Sequence, residues 1–263
     1  MARYIRYRSN GGARYAEIQG DQVCPLDGEF GSLRPSRDTS LHLQEVELLA
    51  PTEPRKIVAV GPNYHAHLGG HPPPPRPNYW IKPSSTVLSP LGTIELPSGV
   101  PMVVHESELA IVVGQKAKDV PADQARDYIF GYTCINDVTA GKLTHIEEHV
   151  QSQYFVDGKI FDTFGPFGPH IETDLNTDNL HVQCRVNGQV RQDHYTNDMI
   201  WSPHVLLARI SSVLTLFPGD IIATGSPPGM GPLVDGDVVE VEVEGIGILR
   251  NIVRNKNVAQ LAQ

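Results

Sequence analysis

Glycine and proline punctuate this chain more tightly than a helical protein tolerates. There are 24 Gly and 22 Pro among 263 residues, about one residue in six, where average usage is roughly 12%. Gly loses the most backbone freedom in a helix interior, and Pro lacks an N–H and clashes with the preceding turn. A helical bundle is therefore excluded. An apolar content of 40% also excludes a low-complexity chain. At this length roughly three quarters of the unfolded surface can be buried, enough for an enzyme-sized core.

Between the breaks lie short apolar or alternating runs. Ala13-Arg-Tyr-Ala-Glu-Ile alternates, and Gly20-Asp21 and Asp27-Gly28 mark turns. Residues 40–50 read as one strand leading into the main body, and Pro51 and Pro54 bracket a boundary. The expected organisation is a small β-rich N-terminal domain over 1–52 and a main domain over 53–263. Lys56-Ile-Val-Ala-Val reads as a buried strand, and His71-Pro-Pro-Pro-Pro-Arg-Pro as a stiff extended connector. Further strands are expected at 79–82, 93–96, 106–113, 129–136, 181–186, 220–224, 238–243 and 247–253, with an Asn187-Gly188 hairpin turn. Helices are expected at 121–128, 139–151 and 202–215, the last with Ser202-Pro203 as N-cap and first helical residue. Many strands, few helices and no regular βα alternation give an α+β, mostly-β class.

The charge balance narrows the partners. Lys and Arg number 21 against 30 Asp and Glu, a formal net charge of −9. Without a long basic run, binding a nucleic acid through a phosphate-neutralising face is not expected. An acidic protein that takes an anionic substrate needs a local cation. The cysteines Cys24, Cys134 and Cys184 are odd in number and far apart. That fits reduced thiols in a cytoplasmic protein better than a disulfide framework. The N-terminal stretch has no apolar h-region and no run approaches a membrane-spanning length, so neither a signal peptide nor a membrane partner is expected.

Four segments concentrate chemistry. In His105-Glu106-Ser107-Glu108-Leu109-Ala-Ile-Val-Val, the two glutamates share one face of a strand. That is either a solvated face or, because the apolar run suggests burial on both faces, a carboxylate pair that favours a hard divalent cation. Gly131-Tyr-Thr-Cys-Ile-Asn136-Asp137 ends an apolar strand in Asn-Asp, where Asp137 is a third oxygen ligand or a helix N-cap. Gly158-Lys159-Ile-Phe-Asp162 precedes a Gly/Pro-punctuated aromatic loop. Lys159 is either solvated or places an ammonium beside a metal-bound anion. Phe217-Pro-Gly-Asp220-Ile-Ile-Ala-Thr224-Gly225-Ser226-Pro-Pro-Gly229 runs a strand into a Gly-rich loop whose N–H groups can hold a carboxylate.

Taken in order over about 55–255, these segments resemble the fumarylacetoacetate hydrolase family. The motifs are Gly61-x-Asn63-Tyr64-x-x-His67, Lys82-Pro83-Ser84-Ser85, Glu106-x-Glu108, Asn136-Asp137, Gly158-Lys159-x-Phe-Asp162-Thr-Phe and Pro218-Gly-Asp-x-Ile-x-Thr-Gly-x-Pro-x-Gly. The resemblance implies a mixed β-sandwich roll, a homodimer, and a metal-binding catalytic domain over 53–263. By position it implies Glu106, Glu108 and Asp137 as ligands of Mg²⁺ or Mn²⁺, and His67 and Lys159 as catalytic groups. Asn63, Tyr64, Lys82, Gly225 and Ser226 fall at substrate-binding positions, Ser226 where the family usually has Thr. The implied substrate is a small anionic 2-keto or 2,4-diketo acid, cleaved by C–C hydrolysis or decarboxylated through a metal-stabilised enolate. Keto–enol tautomerisation or double-bond isomerisation on the same metal is the alternative. A third reading is a relative that binds keto acids without catalysis.

The chain departs from the pattern at informative places. Hydrolysing and decarboxylating members carry a Glu three residues after the His, and here that residue is Gly70. The family's Arg and Gln following the ligand Asp are Gly141 and Thr144 here. His71 is a substitute proton carrier if its segment is helical. His105 is a candidate for supporting the metal ligands from behind. A rival signature, His145-Ile-Glu-Glu148-His149, matches the inverted zinc-protease pattern H-x-x-E-H, or forms a lid helix.

Overall fold

Strands form wherever apolar or alternating residues run between the glycines and prolines. The computed structural model describes residues 2–141 and 157–256. The largest sheet runs through Gln22–Asp27, Gly12–Gln19, Arg3–Ser9, Gly165–Glu172, Ile129–Asn136, Ser107–Val113, Ile221–Ala223, Lys56–Val60 and Tyr79–Pro83. A second sheet orders Thr93–Leu96, Gly247–Asn255, Val238–Val243, His181–Val186 and Gln189–Tyr195. A third, small sheet joins Thr139–Gly141, Met102–Val104 and Pro232–Leu233. The fold is mostly β, with the architecture expected of a β-sandwich roll.

The centre of the large sheet is Ser107–Val113, buried along its whole length. Leu109, Ile111 and Val113 pack into the core between the sheets, together with Leu206, Leu207 and Ile210 of the α-helix Pro203–Val213. Ala110 and Val112 pack on the opposite side with Ile57, Ala59, Trp80 and Ala223. Alternation along the strand therefore feeds two cores. The N-terminal strands keep their own small core of Ile5, Tyr7, Ala16, Ile18 and Val23. They join the large sheet where Arg3 and Tyr4 pair with Glu172 and Ile171.

Three expected elements differ. Residues 40–50 are not one strand. Glu45 accepts the His42 N–H at 3.1 Å and turns the chain through Leu43–Glu45, leaving short strands at Leu41–His42 and Glu47–Leu49. The helix expected at 121–128 is a 3₁₀ turn, Ala122–Tyr128, a short connector that runs straight into the strand Ile129–Asn136. No helix begins at 139, because Thr139–Gly141 is recruited as a strand against Met102–Val104. The rest of that expected helix, with His145–His149, lies outside the described residues.

Gly131 lies at the register shift between Ile129–Asn136 and Ser107–Val113, and on its other side the strand packs against Gly165–Glu172. A Cβ there would lie 2.5 Å from the Glu172 carbonyl oxygen and 2.7 Å from Ile171 Cγ2. Gly131→Ala is expected to cost about 1–3 kcal/mol in urea unfolding. Gly11→Ala, which meets nothing within 4 Å, is expected to stay within about 0.5 kcal/mol. Equal stabilities for the two variants would show that these neighbouring strands do not approach as closely as described.

Candidate functional site

Strand register assembles the acidic cluster. Ser107 pairs with Asn136 in the antiparallel ladder. One step beyond, the Asp137 N–H donates to the Glu106 carbonyl at 2.9 Å, and Asn136 Oδ1 accepts the Glu106 N–H at 2.9 Å. Asp137 thereby stands beside Glu106, and Glu108 shares the face of Glu106 by the two-residue alternation. Ligand-capable oxygens of the three carboxylates lie within 4.8 Å of one another, and all three residues are buried.

Three anions this close in a low-dielectric interior repel strongly unless compensated. Two buried lysines supply compensation. Lys159 Nζ donates to Glu106 Oε2 and Asp137 Oδ2, both at 2.8 Å. Lys82 Nζ donates to Asp137 Oδ1 at 2.6 Å and to the Val138 carbonyl at 3.2 Å. Lys82 and Trp80 project from the same face of Tyr79–Pro83, and the Trp80 ring lies 4.6 Å from Lys159 Nζ, a cation–π contact. Thr139 Oγ1 lies 3.0 Å from Glu106 Oε1 and 2.8 Å from the Asp137 carbonyl.

The proton affinities follow from these contacts. Burial raises Asp137, but the ammoniums of Lys159 and Lys82 outweigh it and hold the carboxyl below its ordinary value. Burial lowers Lys159, but Asp137 and Glu106 outweigh it and keep the ammonium charged. Burial lowers Lys82 despite Asp137. Glu106 is raised by burial against the pull of Lys159. Glu108 is raised well above its ordinary value by burial and then by the negative charges of Asp137 and Glu106. With both ammoniums charged and all three carboxyls ionised, as a bound cation requires, the cluster carries one net negative charge.

Glu108 is the member left incomplete. Its Oε2 accepts the Gly225 N–H at 2.6 Å, while Oε1 is buried and has no hydrogen-bond partner among the described residues. Gly225 makes that approach with φ of 104°, and a Cβ there would lie 2.6 Å from Asn63 Cβ. An all-carboxylate donor set with one orphaned buried oxygen fits a hard divalent cation such as Mg²⁺ or Mn²⁺.

The other expected site residues gather around this cluster to different degrees. His67 is exposed on the 3₁₀ turn His65–Leu68, and its Nδ1 lies 3.3 Å from the Ser226 carbonyl oxygen. Asp198 Oδ2 accepts the Ala66 N–H at 2.9 Å and meets His194 Nε2 at 2.9 Å, which anchors that turn. Asn63 is buried and donates to the Trp201 and Thr224 carbonyls at 3.0 and 2.7 Å, and its Oδ1 accepts the Trp201 N–H at 2.9 Å. It ties the strand end to the neighbouring loops. Tyr64 is buried with an unpartnered hydroxyl, and burial, then Glu108 and Asp198, pushes its phenol up. The helical turn stops at Leu68 with Gly69 left-handed, so His71 is not one helical turn beyond His67. His105 is buried, with Nδ1 at 2.9 Å from Gln192 Oε1.

Trp80, Thr139, Asp198 and Gln192 were not visible as site residues in the sequence. Trp80 could have been found by its i, i+2 relation to Lys82. Gln192 had no such signal, being one polar residue in the polar run Gln189–Tyr195.

Comparison with known proteins agrees with this geometry. Residues 56–254 match the family description "Fumarylacetoacetate (FAA) hydrolase C-terminal", and residues 2–51 match "Rv2993c-like, N-terminal". An oxaloacetate tautomerase of Xenopus laevis mitochondria is 37% identical over 230 residues, 81% of this chain and 71% of that protein. A 2-hydroxyhepta-2,4-diene-1,7-dioate isomerase from Mycobacterium marinum superposes with a TM-score of 0.87 at 38% identity, covering 98% of this chain and 100% of that one. A maleylpyruvate hydrolase from Sphingobium sp. SYK-6, solved with manganese(II) and pyruvate, gives 0.79 at 30% identity, covering 97% and 100%. The sheet order, the buried carboxylate cluster and these matches agree, and the chain belongs to the fumarylacetoacetate hydrolase family.

Proposed function

We propose that this chain is a divalent-metal-dependent enzyme that moves a proton on a small anionic 2-oxo acid, as a keto–enol tautomerase or double-bond isomerase. The setting of His67 carries this reading. Among the described residues its Nδ1 faces a backbone carbonyl, that of Ser226, and no carboxylate. The residue three positions on is Gly70, exposed and left-handed at φ of 87°, so the turn does not carry the Glu of hydrolysing members.

The residues divide the work. A divalent cation held by Glu106, Glu108 and Asp137 would supply Lewis acidity to the substrate's oxygens and turn the net charge of the cluster positive. Lys159 and Lys82 keep Asp137 ionised and hold it in place. With Nδ1–H donated to the Ser226 carbonyl, His67 presents neutral Nε2, whose lone pair can take a proton from one carbon or oxygen of the substrate and return it to another. Proton transfer of this kind needs no activated water. The isomerase and tautomerase relatives support the same reading. The similarity to a maleylpyruvate hydrolase favours a second reading, C–C hydrolysis, which leaves a cleaved product.

The two readings separate in one assay. Oxaloacetate and an unsaturated 2-oxo dioate would be incubated with Mg²⁺ or Mn²⁺ while enol absorbance, CO₂ and cleavage product are followed separately. The expected outcome is accelerated change in enol absorbance with neither CO₂ nor cleavage product above the uncatalysed rate. Stoichiometric cleavage product would establish the hydrolase reading instead.

The metal assignment has a readout apart from turnover. Glu108→Gln is expected to weaken Mn²⁺ binding by at least about tenfold in calorimetry. At an ion concentration of a hundred times the wild-type dissociation constant, where a specific ion stabilises by about 2.7 kcal/mol, a tenfold weaker variant should gain only about 1.4 kcal/mol. Unchanged Mn²⁺ affinity would sink the ligand set.

A further inference from the structure

Gln192 sits where three parts of the site meet, yet it touches none of the carboxylates. It lies on Gln189–Tyr195 and is fully buried in a strand otherwise largely exposed. Its Oε1 accepts the Ser107 N–H at 3.0 Å and the His105 Nδ1–H at 2.9 Å. Its Nε2 donates to Ser226 Oγ and to the Pro227 carbonyl, both at 2.7 Å. The backbone partners fix the amide orientation, since Ser107 N can only donate and the Pro227 carbonyl can only accept. Every hydrogen-bonding position of the side chain is filled, two by His105 and Ser107 and two by the loop residues Ser226 and Pro227.

The Ser226 junction gives this arrangement a consequence for the site. Its Oγ accepts from Gln192 while its carbonyl faces His67 Nδ1. The residue before it, Gly225, donates to Glu108 Oε2. Two loop atoms are thus held by Gln192 on one side and one by Glu108 on the other. Gly229 keeps the same loop against the hairpin, where a Cβ would lie 2.3 Å from the Arg191 carbonyl oxygen. Ser226 Oγ accepts from Gln192 and donates its own proton to the Pro227 carbonyl at 3.2 Å, so the hydroxyl is held on both sides within the loop.

We propose that Gln192 is a positioning residue. Its amide N–H groups hold the Ser226 hydroxyl and the Pro227 carbonyl and, through the Ser226 carbonyl so placed, fix the Nδ1–H tautomer and the ring orientation of His67. The inference rests on the proposed role of His67 in proton transfer and deepens it by naming what holds that ring. Ser226 and His67 are adjusted from the second sheet, whereas the carboxylates are placed by the first.

The test compares the wild type with Gln192→Met, which removes all four hydrogen bonds, and Gln192→Glu, which keeps the oxygen facing Ser107 and His105 but removes both donors. The first readout is the imidazole ¹⁵N spectrum of His67, assigned with His67→Gln. Both Gln192 variants are expected to move the His67 signals, and unmoved signals in folded Gln192→Glu would overturn the proposal. The second is a double-mutant cycle with Ser226→Ala. Gln192→Met is expected to lower kcat about tenfold, the scale of one lost buried hydrogen bond, and much less in the Ser226→Ala background. Equal loss in both backgrounds would overturn the link through Ser226. Mn²⁺ affinity of Gln192→Met should stay within about threefold of wild type, and a tenfold loss would mean that Gln192 acts on the ExE strand instead. Inactivity of the wild type on every 2-oxo acid would sink the proposed function, and the His67 spectrum would then decide this inference alone.

Discussion

The site depends on one buried carboxylate, Asp137, held between two buried ammoniums. Lys159 takes one oxygen and Lys82 the other. Removing charges from water is costly, and a buried pair returns that cost only when the geometry is good and the remaining hydrogen-bonding positions are filled. Here Lys159 also bonds Glu106 and lies over Trp80, and Lys82 also bonds the Val138 carbonyl. The arrangement links the edge strand Tyr79–Pro83 to the sheet centre and keeps Asp137 ionised where Glu108 is driven toward protonation. The asymmetry is chemical preparation: one carboxylate stays anionic while another retains an unfilled oxygen.

The rest of the architecture explains how such a cluster survives. Ser107–Val113 is buried on both faces, so the glutamates at its start cannot turn to solvent without pulling Leu109, Ile111, Ala110 and Val112 out of two cores. Stability of the strand therefore enforces proximity of the acids. The loop Gly225–Pro227 emerges beside them from Ile221–Ala223, which pairs with that strand, and places a backbone N–H on Glu108. The carboxylates stand on the large sheet, whereas His67 and Ser226 are held by a turn and a loop that the hairpin of the second sheet adjusts.

Much of this was legible in the sequence, for physical reasons that differ from residue to residue. Strands at 93–96, 129–136, 181–186 and 238–243 have the bounds expected of them, and at 181–186 and 238–243 the reason is period-two apolar patterning, which survives any packing that buries one face. The pairing of Glu106 with Glu108 followed from alternation alone. The joining of Asp137 to them was reached by resemblance and is realised by a cross-strand register that local sequence does not encode. Where 3₁₀ turns or short strands replaced expected helices and strands, side-chain capping or recruitment by a neighbouring strand overrode propensity, as at Glu45 and at Thr139–Gly141.

By itself the sequence determined the class of fold, most of the strands and the shared face of Glu106 and Glu108, since these depend on local alternation, on Gly and Pro punctuation and on residue chemistry. Only the tertiary structure decided that both lysines converge on one aspartate, that Trp80 lies against Lys159, that His67 faces the Ser226 carbonyl, and that Gln192 reaches Ser226 from a different sheet. Each is a contact between residues distant in the chain, fixed by register and packing, and a polar side chain in a polar run carries no mark of which partner the fold will bring to it.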